Sequence, residues 1–265
     1  MSEWAAIRDW TAELAGEAGQ RAAQMLKQGA EASHKADGTV VTNIDTAIER
    51  FLRESITARF PDHAILGEEY GYEARDAGAP LWAIDPIDGT VNLANNLPGW
   101  GVSVALIADG EPVVGVVAFP LLGEIFAAAK GEGATLNGVP LPMLPLLHET
   151  TWDDTYAICS VSVRDVDFAG LPVRLRIHGS AALELCWVGA GRLVGAQSIG
   201  TSLYDVAAGI LIAQEVGAET SWFSGDEWSA LAMASESKRT SDILLTAPAT
   251  RLNFIRERIF FRSRP

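Results

Sequence analysis

The chain has 265 residues, 48% hydrophobic and 20% charged, ordinary proportions for a globular protein able to bury a substantial core in one large domain or two small ones. A formal net charge of −14 argues against a nucleic-acid partner, because phosphate backbones are bound by basic surfaces. It also turns away a phosphorylated small molecule unless bound cations reverse the local sign.

No apolar run approaches the ~20 residues of a membrane span. The first residues include Glu3, Arg8 and Asp9 and lack the apolar stretch of a secretory leader. The two cysteines, Cys159 and Cys186, are too few for a disulfide framework, so a cytoplasmic location without membrane attachment is expected.

In chain order, residues 2–28 predict an amphipathic helix: Trp4, Ile7, Leu14, Ala15, Ala22 and Met25 recur at helical spacing, and Gly29 ends it. Residues 33–45 predict a short hairpin turning at Asp37-Gly38. A second helix, Thr46 to Phe60, carries Ile48, Phe51, Leu52, Ile56 and Phe60 on one face, with Asn43 or Asp45 as its cap. His63 to Leu66 reads as a brief strand running into Gly67-Glu68-Glu69, and a polar loop spans Tyr72 to Pro80. Leu81 to Ile84 is a buried strand that Pro86 and Asp88-Gly89 break.

Runs 102–107, 112–119, 124–130 and 134–136, separated by Asp109-Gly110, Pro120 and Asn137-Gly138, predict an antiparallel meander. The Pro-rich stretch 140–145 marks a boundary between two subdomains, about 1–140 and 141–265, of a single catalytic domain. Beyond it, strands are expected at 156–163, 173–178, 193–198 and 243–247. Helices are expected at 181–190, 206–216 and 249–260, the second closed by Gly217. The alternation favours a layered α/β fold.

No G-x-x-x-x-G-K-[ST], H-E-x-x-H or G-x-S-x-G occurs, which removes support for P-loop, zincin and serine-hydrolase chemistry. The four histidines, at 34, 63, 148 and 178, lack ligand-like spacing and read as surface or packing residues. What remains is carboxylates at element ends: Asp45, Glu68, the pair Asp85 and Asp88, and Asp205. Taken singly, Asp45 and Asp205 read as helix caps, Glu68 as a solvated loop residue, and Asp85 to Gly89 as a turn. On a straight strand Asp85 and Asp88 would face opposite ways. A turn begun at Pro86 can instead fold them toward one point, with the carbonyl of Ile87 between. Hard divalent cations such as Mg²⁺ take such all-oxygen clusters. Thr90 and Asn92 follow where a helix begins, with N–H groups able to face an anion.

Gly67-Glu68-Glu69, then Trp82-x-x-Asp85-Pro86-Ile87-Asp88-Gly89-Thr90-x-Asn92, then Tyr204-Asp205-x-Ala207-Ala208-Gly209 resemble the three signature segments of the inositol monophosphatase family. The resemblance runs from about Lys35 to Gly217, in order and at family-like intervals. It implies an α/β fold layered as an αβαβα sandwich and a lithium-sensitive phosphomonoesterase using two or three Mg²⁺ ions, for which Mn²⁺ can substitute. Glu68, Asp85, the Ile87 carbonyl, Asp88 and Asp205 are then the implied metal ligands. Thr90, backed by Asp45, and Glu68 are the implied catalytic groups. Asp88 and the N–H groups of Gly89 and Thr90 would hold the phosphate. Gly179, Ser180 and Ala181 would face the organic part of a small-molecule phosphate ester, and a homodimer is the common state.

Departures from the family pattern bear on the substrate. Ser198 stands seven residues before Asp205, where inositol-specific enzymes carry a glutamate that contacts ring hydroxyls. The loop Lys35-Ala-Asp37-Gly38 looks like that of bacterial members and implies a weaker, mobile metal site. Leu93 and Tyr204 replace the usual Phe and Trp. The expected substrate is an inositol monophosphate or sugar phosphate, with histidinol phosphate, fructose 1,6-bisphosphate or a 3′-phosphoadenosine nucleotide as alternatives. The spacing D-x-x-D-G-T speaks against a haloacid-dehalogenase-type aspartyl nucleophile, which needs D-x-D-x-[TV]. A family member that binds a protein partner and does no catalysis is the reading from another class.

Overall fold

The computed structural model describes residues 2–34, 38–76, 78–235 and 242–262; Lys35 and Asp37 lie outside them. Helix α1 (Glu3–Gln28) opens on Ser2, whose hydroxyl accepts the Ala5 N–H, and buries Ile7, Leu14, Ala15, Ala18 and Ala22. Strands β1 (Ala32–His34) and β2 (Val40–Thr42) pair antiparallel. Helix α2 (Asn43–Arg59) begins earlier than expected, because Thr42 rather than Asn43 or Asp45 is the cap. Asp45 is the third helical residue and accepts the Thr42 N–H at 3.0 Å, so cap and carboxylate satisfy each other's orphan groups.

The first sheet contains β3 (Ala64–Gly67), β4 (Gly71–Glu73), β5 (Leu81–Asp88), β6 (Gly101–Ala108), β7 (Glu111–Phe119), β8 (Glu124–Ala129), β9 (Ala134–Leu136) and β10 (Val139–Pro140), with the short helix α3 (Thr90–Ala94) between β5 and β6. Its order is β10-β9-β8-β7-β6-β5-β3-β4. The expected meander is present, and the β3–β5 pair is parallel. β4 was not expected, since Gly71 to Glu73 is too short and polar to show a strand pattern.

The second half supplies β11 (Thr155–Ile158), α4 (Ser162–Asp165), β12 (Val166–Asp167), β13 (Arg174–Arg176), α5 (Ala181–Gly189), β14 (Gly195–Ile199), α6 (Leu203–Gln214), β15 (Ala218–Trp222), α7 (Ala230–Ser235), β16 (Ile243–Pro248), α8 (Ala249–Arg256) and β17 (Phe260–Phe261). Its main sheet runs β13-β11-β14-β16-β15, parallel through the first three and antiparallel at β16. β11 stops five residues short of the expected Val163, because Ser162 is drawn into a buried contact with Gln197 and the chain coils into α4.

Five layers result. Helices α1 and α2 cover one face of the first sheet, α5 and α6 fill the space between the sheets, and α8 backs the second. Strand β6 shows why its pattern is continuous: Val102, Val104 and Leu106 face the outer helices, and Ala105 and Ile107 face the inner pair. Gly115 lets α6 rest directly on β7, for a Cβ there would stand 2.7 Å from the Ala208 carbonyl oxygen. Among the described residues no helix is long and apolar enough to cross a membrane.

Candidate active site

The break expected at Pro86 is not a turn. β5 continues to Asp88, and its pairing with β6 slips between Asp85↔Ser103 and Asp88↔Gly101. Three steps along β5 therefore oppose two along β6, a bulge that adds one residue and cancels the alternation that would have separated the carboxylates. Both are buried, Asp85 at 2% exposure and Asp88 at 7%. Asp85 accepts the Ile87 N–H at 2.9 Å within the bulge. Gly89 then takes a left-handed conformation, φ 91°, and a Cβ there would meet the Gly99 carbonyl oxygen at 2.8 Å.

Thr90, the first residue of α3, brings the two ends of the motif together. Its Oγ lies 2.9 Å from Asp45 Oδ1 and 3.1 Å from the Ile87 carbonyl oxygen, and its one proton can serve only one of them at a time. Burial pushes the Asp45 carboxyl up from its ordinary range, against the pull of hydrogen bonds from Thr42 and Thr90. The Asn92 side-chain amide donates to the carbonyls of Gly99 at 2.6 Å and His178 at 2.7 Å, and the residue's backbone N–H, rather than being free for an anion, donates to the Gly89 carbonyl at 2.8 Å. The side chain clamps α3 to the entry of α5.

From the far half, Asp205 sits at the third position of α6, where its Oδ2 accepts the Ser202 N–H at 2.6 Å. Ser202 is the cap that Asp205 was expected to be. Ser103, opposite Asp85 on β6, donates to the Tyr204 carbonyl at 3.1 Å and so moors this end of α6 beside the bulge. Sequence reasoning passed over Ser103, although one hydroxyl in the apolar run Val102 to Ile107 must find a partner when buried.

Asp88 is held by the start of α5: Oδ2 accepts the Ser180 hydroxyl and, at 2.8 Å, the Ala182 N–H. Burial nonetheless raises its carboxyl to about 7. Gly179 and Ala181 flank Ser180 there, so the structure joins the expected substrate segment to Asp88. Ser198 is buried on β14, and no described hydrogen bond ties it to the carboxylates. Glu68 lies on the turn between β3 and β4.

Asp85 is the electrostatic centre. Burial first, then the charges of Glu68, Asp88 and Asp205, push its carboxyl well above the ordinary range. Among the described residues no three His, Cys, Asp or Glu side chains are closed into a ready cage. Local donors hold them instead: Ile87 N–H on Asp85, Ser180 and Ala182 on Asp88, Ser202 on Asp205. Glu68, Asp88 and Asp205, whose charges push Asp85 up, are carboxylates, an oxygen-rich and repulsive set that suits a hard divalent cation.

A sequence model of the inositol monophosphatase family matches residues 3–247. Among curated relatives, "Nus factor SuhB" of Pasteurella multocida is 37% identical over 207 residues, covering 72% of this chain and 74% of that protein. "Fructose-1,6-bisphosphatase/inositol-1-monophosphatase" of Thermotoga maritima is 36% identical over 197 residues, covering 71% and 73%. The solved structure of a Thermotoga maritima IMPase superposes with a TM-score of 0.80 at 29% identity, covering 94% of each chain. With the five-layer fold and the three motif segments in place, the chain belongs to the inositol monophosphatase family.

Proposed function

We propose that the protein is a metal-dependent phosphomonoesterase acting on a small phosphorylated alcohol, an inositol monophosphate or sugar phosphate. The observation that carries this reading is the burial of Asp85 among Glu68, Asp88 and Asp205, beside the Thr90–Asp45 hydrogen bond. Glu68, Asp85, the Ile87 carbonyl, Asp88 and Asp205 would hold two or three Mg²⁺ ions, or Mn²⁺ in their place. Bound divalent cations supply the positive charge that phosphoryl oxygens need and acidify water.

The chain's own residues do the rest. Thr90, donating to Asp45, would accept a hydrogen bond from water on its Oγ and so aim the water's oxygen. As that water gives its proton to Thr90 Oγ, the Thr90 hydroxyl proton would pass to Asp45, whose carboxylate burial makes more basic. The Gly89 and Thr90 N–H groups at the start of α3 would cradle phosphate, and Gly179, Ser180 and Ala181 would border the alcohol. With serine at 198, inositol hydroxyls lose a charged partner, which can cost about 1.5–3 kcal/mol. Histidinol phosphate, fructose 1,6-bisphosphate and a 3′-phosphoadenosine nucleotide therefore stay in the test panel. We read the chain as one catalytic domain acting as a cytoplasmic homodimer.

Assaying phosphate release from such a panel with Mg²⁺, with and without Li⁺, tests the reading. Mg²⁺-dependent, Li⁺-inhibited release from at least one ester is expected, and turnover of none sinks it. The relative named "Nus factor SuhB" favours a second reading, a protein-binding role without catalysis. Asp88→Asn separates the two, since hydrolysis should collapse and a purely binding role should survive.

A further inference from the structure

We propose that Glu49, on the inner face of α2, is a positioning residue that sets the Glu68 carboxylate and thereby the affinity of the site for divalent cations. The inference rests on the metal reading above. Glu49 is fully buried, at 0% exposure, between Ile48 and Leu52 on a helix whose inner face is otherwise largely apolar. A carboxylate is costly there unless donors surround it.

The donors come from the turn that carries Glu68. Glu49 Oε2 accepts the Glu69 N–H at 2.6 Å, and Oε1 accepts the Tyr70 N–H at 3.1 Å and Arg53 Nε at 2.8 Å. One buried side chain thus holds the two consecutive amides that follow Glu68. The fit on the other side is equally close: a Cβ on Gly67 would fall 2.1 Å from Glu49 Oε1. Arg53 extends the hold to β4, donating to the Gly71 carbonyl and reaching Glu73 at 3.3 Å.

Asp45 and Glu49 are four residues apart, one turn of α2, and so share a face. The same stretch of helix presents Asp45 to Thr90 and Glu49 to the Glu68 turn. The helix therefore registers the water-aiming pair and one cation-binding carboxylate against each other. Glu68 itself needs no contact with Glu49; its backbone is set by the amides on its C-terminal side and by the glycine on the other.

The test uses the full-length protein and Mg²⁺ alone. Glu49→Gln keeps the shape but turns an amide N–H toward a backbone donor. Mg²⁺ binding followed by calorimetry should weaken about 10- to 100-fold, the range seen when a ligand's outer partner is lost. The Mg²⁺ concentration for half-maximal hydrolysis should rise by the same factor, with kcat recovering at saturating Mg²⁺. A merely structural role would instead lower kcat and leave that concentration in place. Gly67→Ala, displacing the carboxylate from the other side, should act likewise, whereas Glu54→Gln, exposed on the same helix, should leave Mg²⁺ binding unchanged.

Wild-type Mg²⁺ affinity in both folded variants overturns the inference. If neither variant folds, hydrogen exchange on the wild-type protein decides: protected Glu69 and Tyr70 amides support it, and exchange at the rate of unbonded amides overturns it. A wild-type protein that binds no Mg²⁺ overturns the underlying metal reading instead, a result distinct from unaltered variants.

Discussion

Asp85 is a residue that the fold tolerates at a cost. It is buried, its neighbours repel it, and its one described hydrogen bond lies within its own bulge. Asp85→Asn should therefore make the metal-free protein more stable, by about 2–4 °C in Tm for each kcal/mol of repulsion relieved. The same change should reduce kcat/KM about 10²- to 10³-fold, the scale of losing one preorganised electrostatic partner. Calorimetry in chelator and phosphate-release kinetics check the pair, and an unchanged or lower Tm would count against the account of Asp85. Thr90→Val tests the other chemical unit. It removes the hydroxyl that contacts Asp45 and should lower kcat roughly 10²- to 10⁴-fold with little effect on Mg²⁺ binding. Recovery in Thr90→Ser ties the loss to the hydroxyl, and a parallel loss of Mg²⁺ affinity would assign Thr90 to the cation set.

At the scale of elements, the long periodic helices and apolar strands were legible, and the devices that aim side chains were less so. The spacing of Ile48, Leu52 and Ile56 announces α2, yet whether Thr42, Asn43 or Asp45 caps it depends on which carboxylate reaches back to which N–H. Asp85 and Asp88 were legible as a pair from Pro86 and Gly89, but the bulge that unites them is a property of β6 as much as β5. Glu49 and Ser103 were missed because one polar residue in an apolar run declares its importance only when its partner, far along the chain, is known. A histidine supplies a test at this scale. His63 Nδ1 accepts the Trp82 indole N–H at 3.1 Å, and burial lowers its pKa from 6.5 despite the charges of Asp62 and Glu3. The folded protein then binds fewer protons than the unfolded chain just below pH 6.5, so stability falls as pH drops through that window. Urea midpoints at pH 7.5 and 5.5 should differ more for the wild type than for His63→Gln; equal shifts would remove His63 as the cause.

For the whole molecule, the inner helices decide whether the site exists, since Asp205 arrives from the second half on α6. Its mooring to the first sheet is close, with the α6 backbone against Gly115 and the Ser103 hydroxyl on Tyr204. Gly115→Ala should push α6 off the sheet at about 1–3 kcal/mol, the usual cost of overpacking, and weaken Mg²⁺ binding although residue 115 is no ligand. Urea unfolding and calorimetry read the two effects, and a stability loss without an affinity loss would show α6 free to settle elsewhere.

Asp45 and Asp205 both open a helix by the same reciprocal cap. In a lineage released from catalysis, selection on folding alone would go on preserving them, and Asp88 would persist for the start of α5. Their retention in a relative is thus weak testimony to activity. Asp85 caps no helix, and Asn there could keep the bond from the Ile87 N–H while relieving the repulsion. Across this family the identity of the residue at that one position should separate descendants that still hydrolyse phosphate esters from those that have kept only the shape.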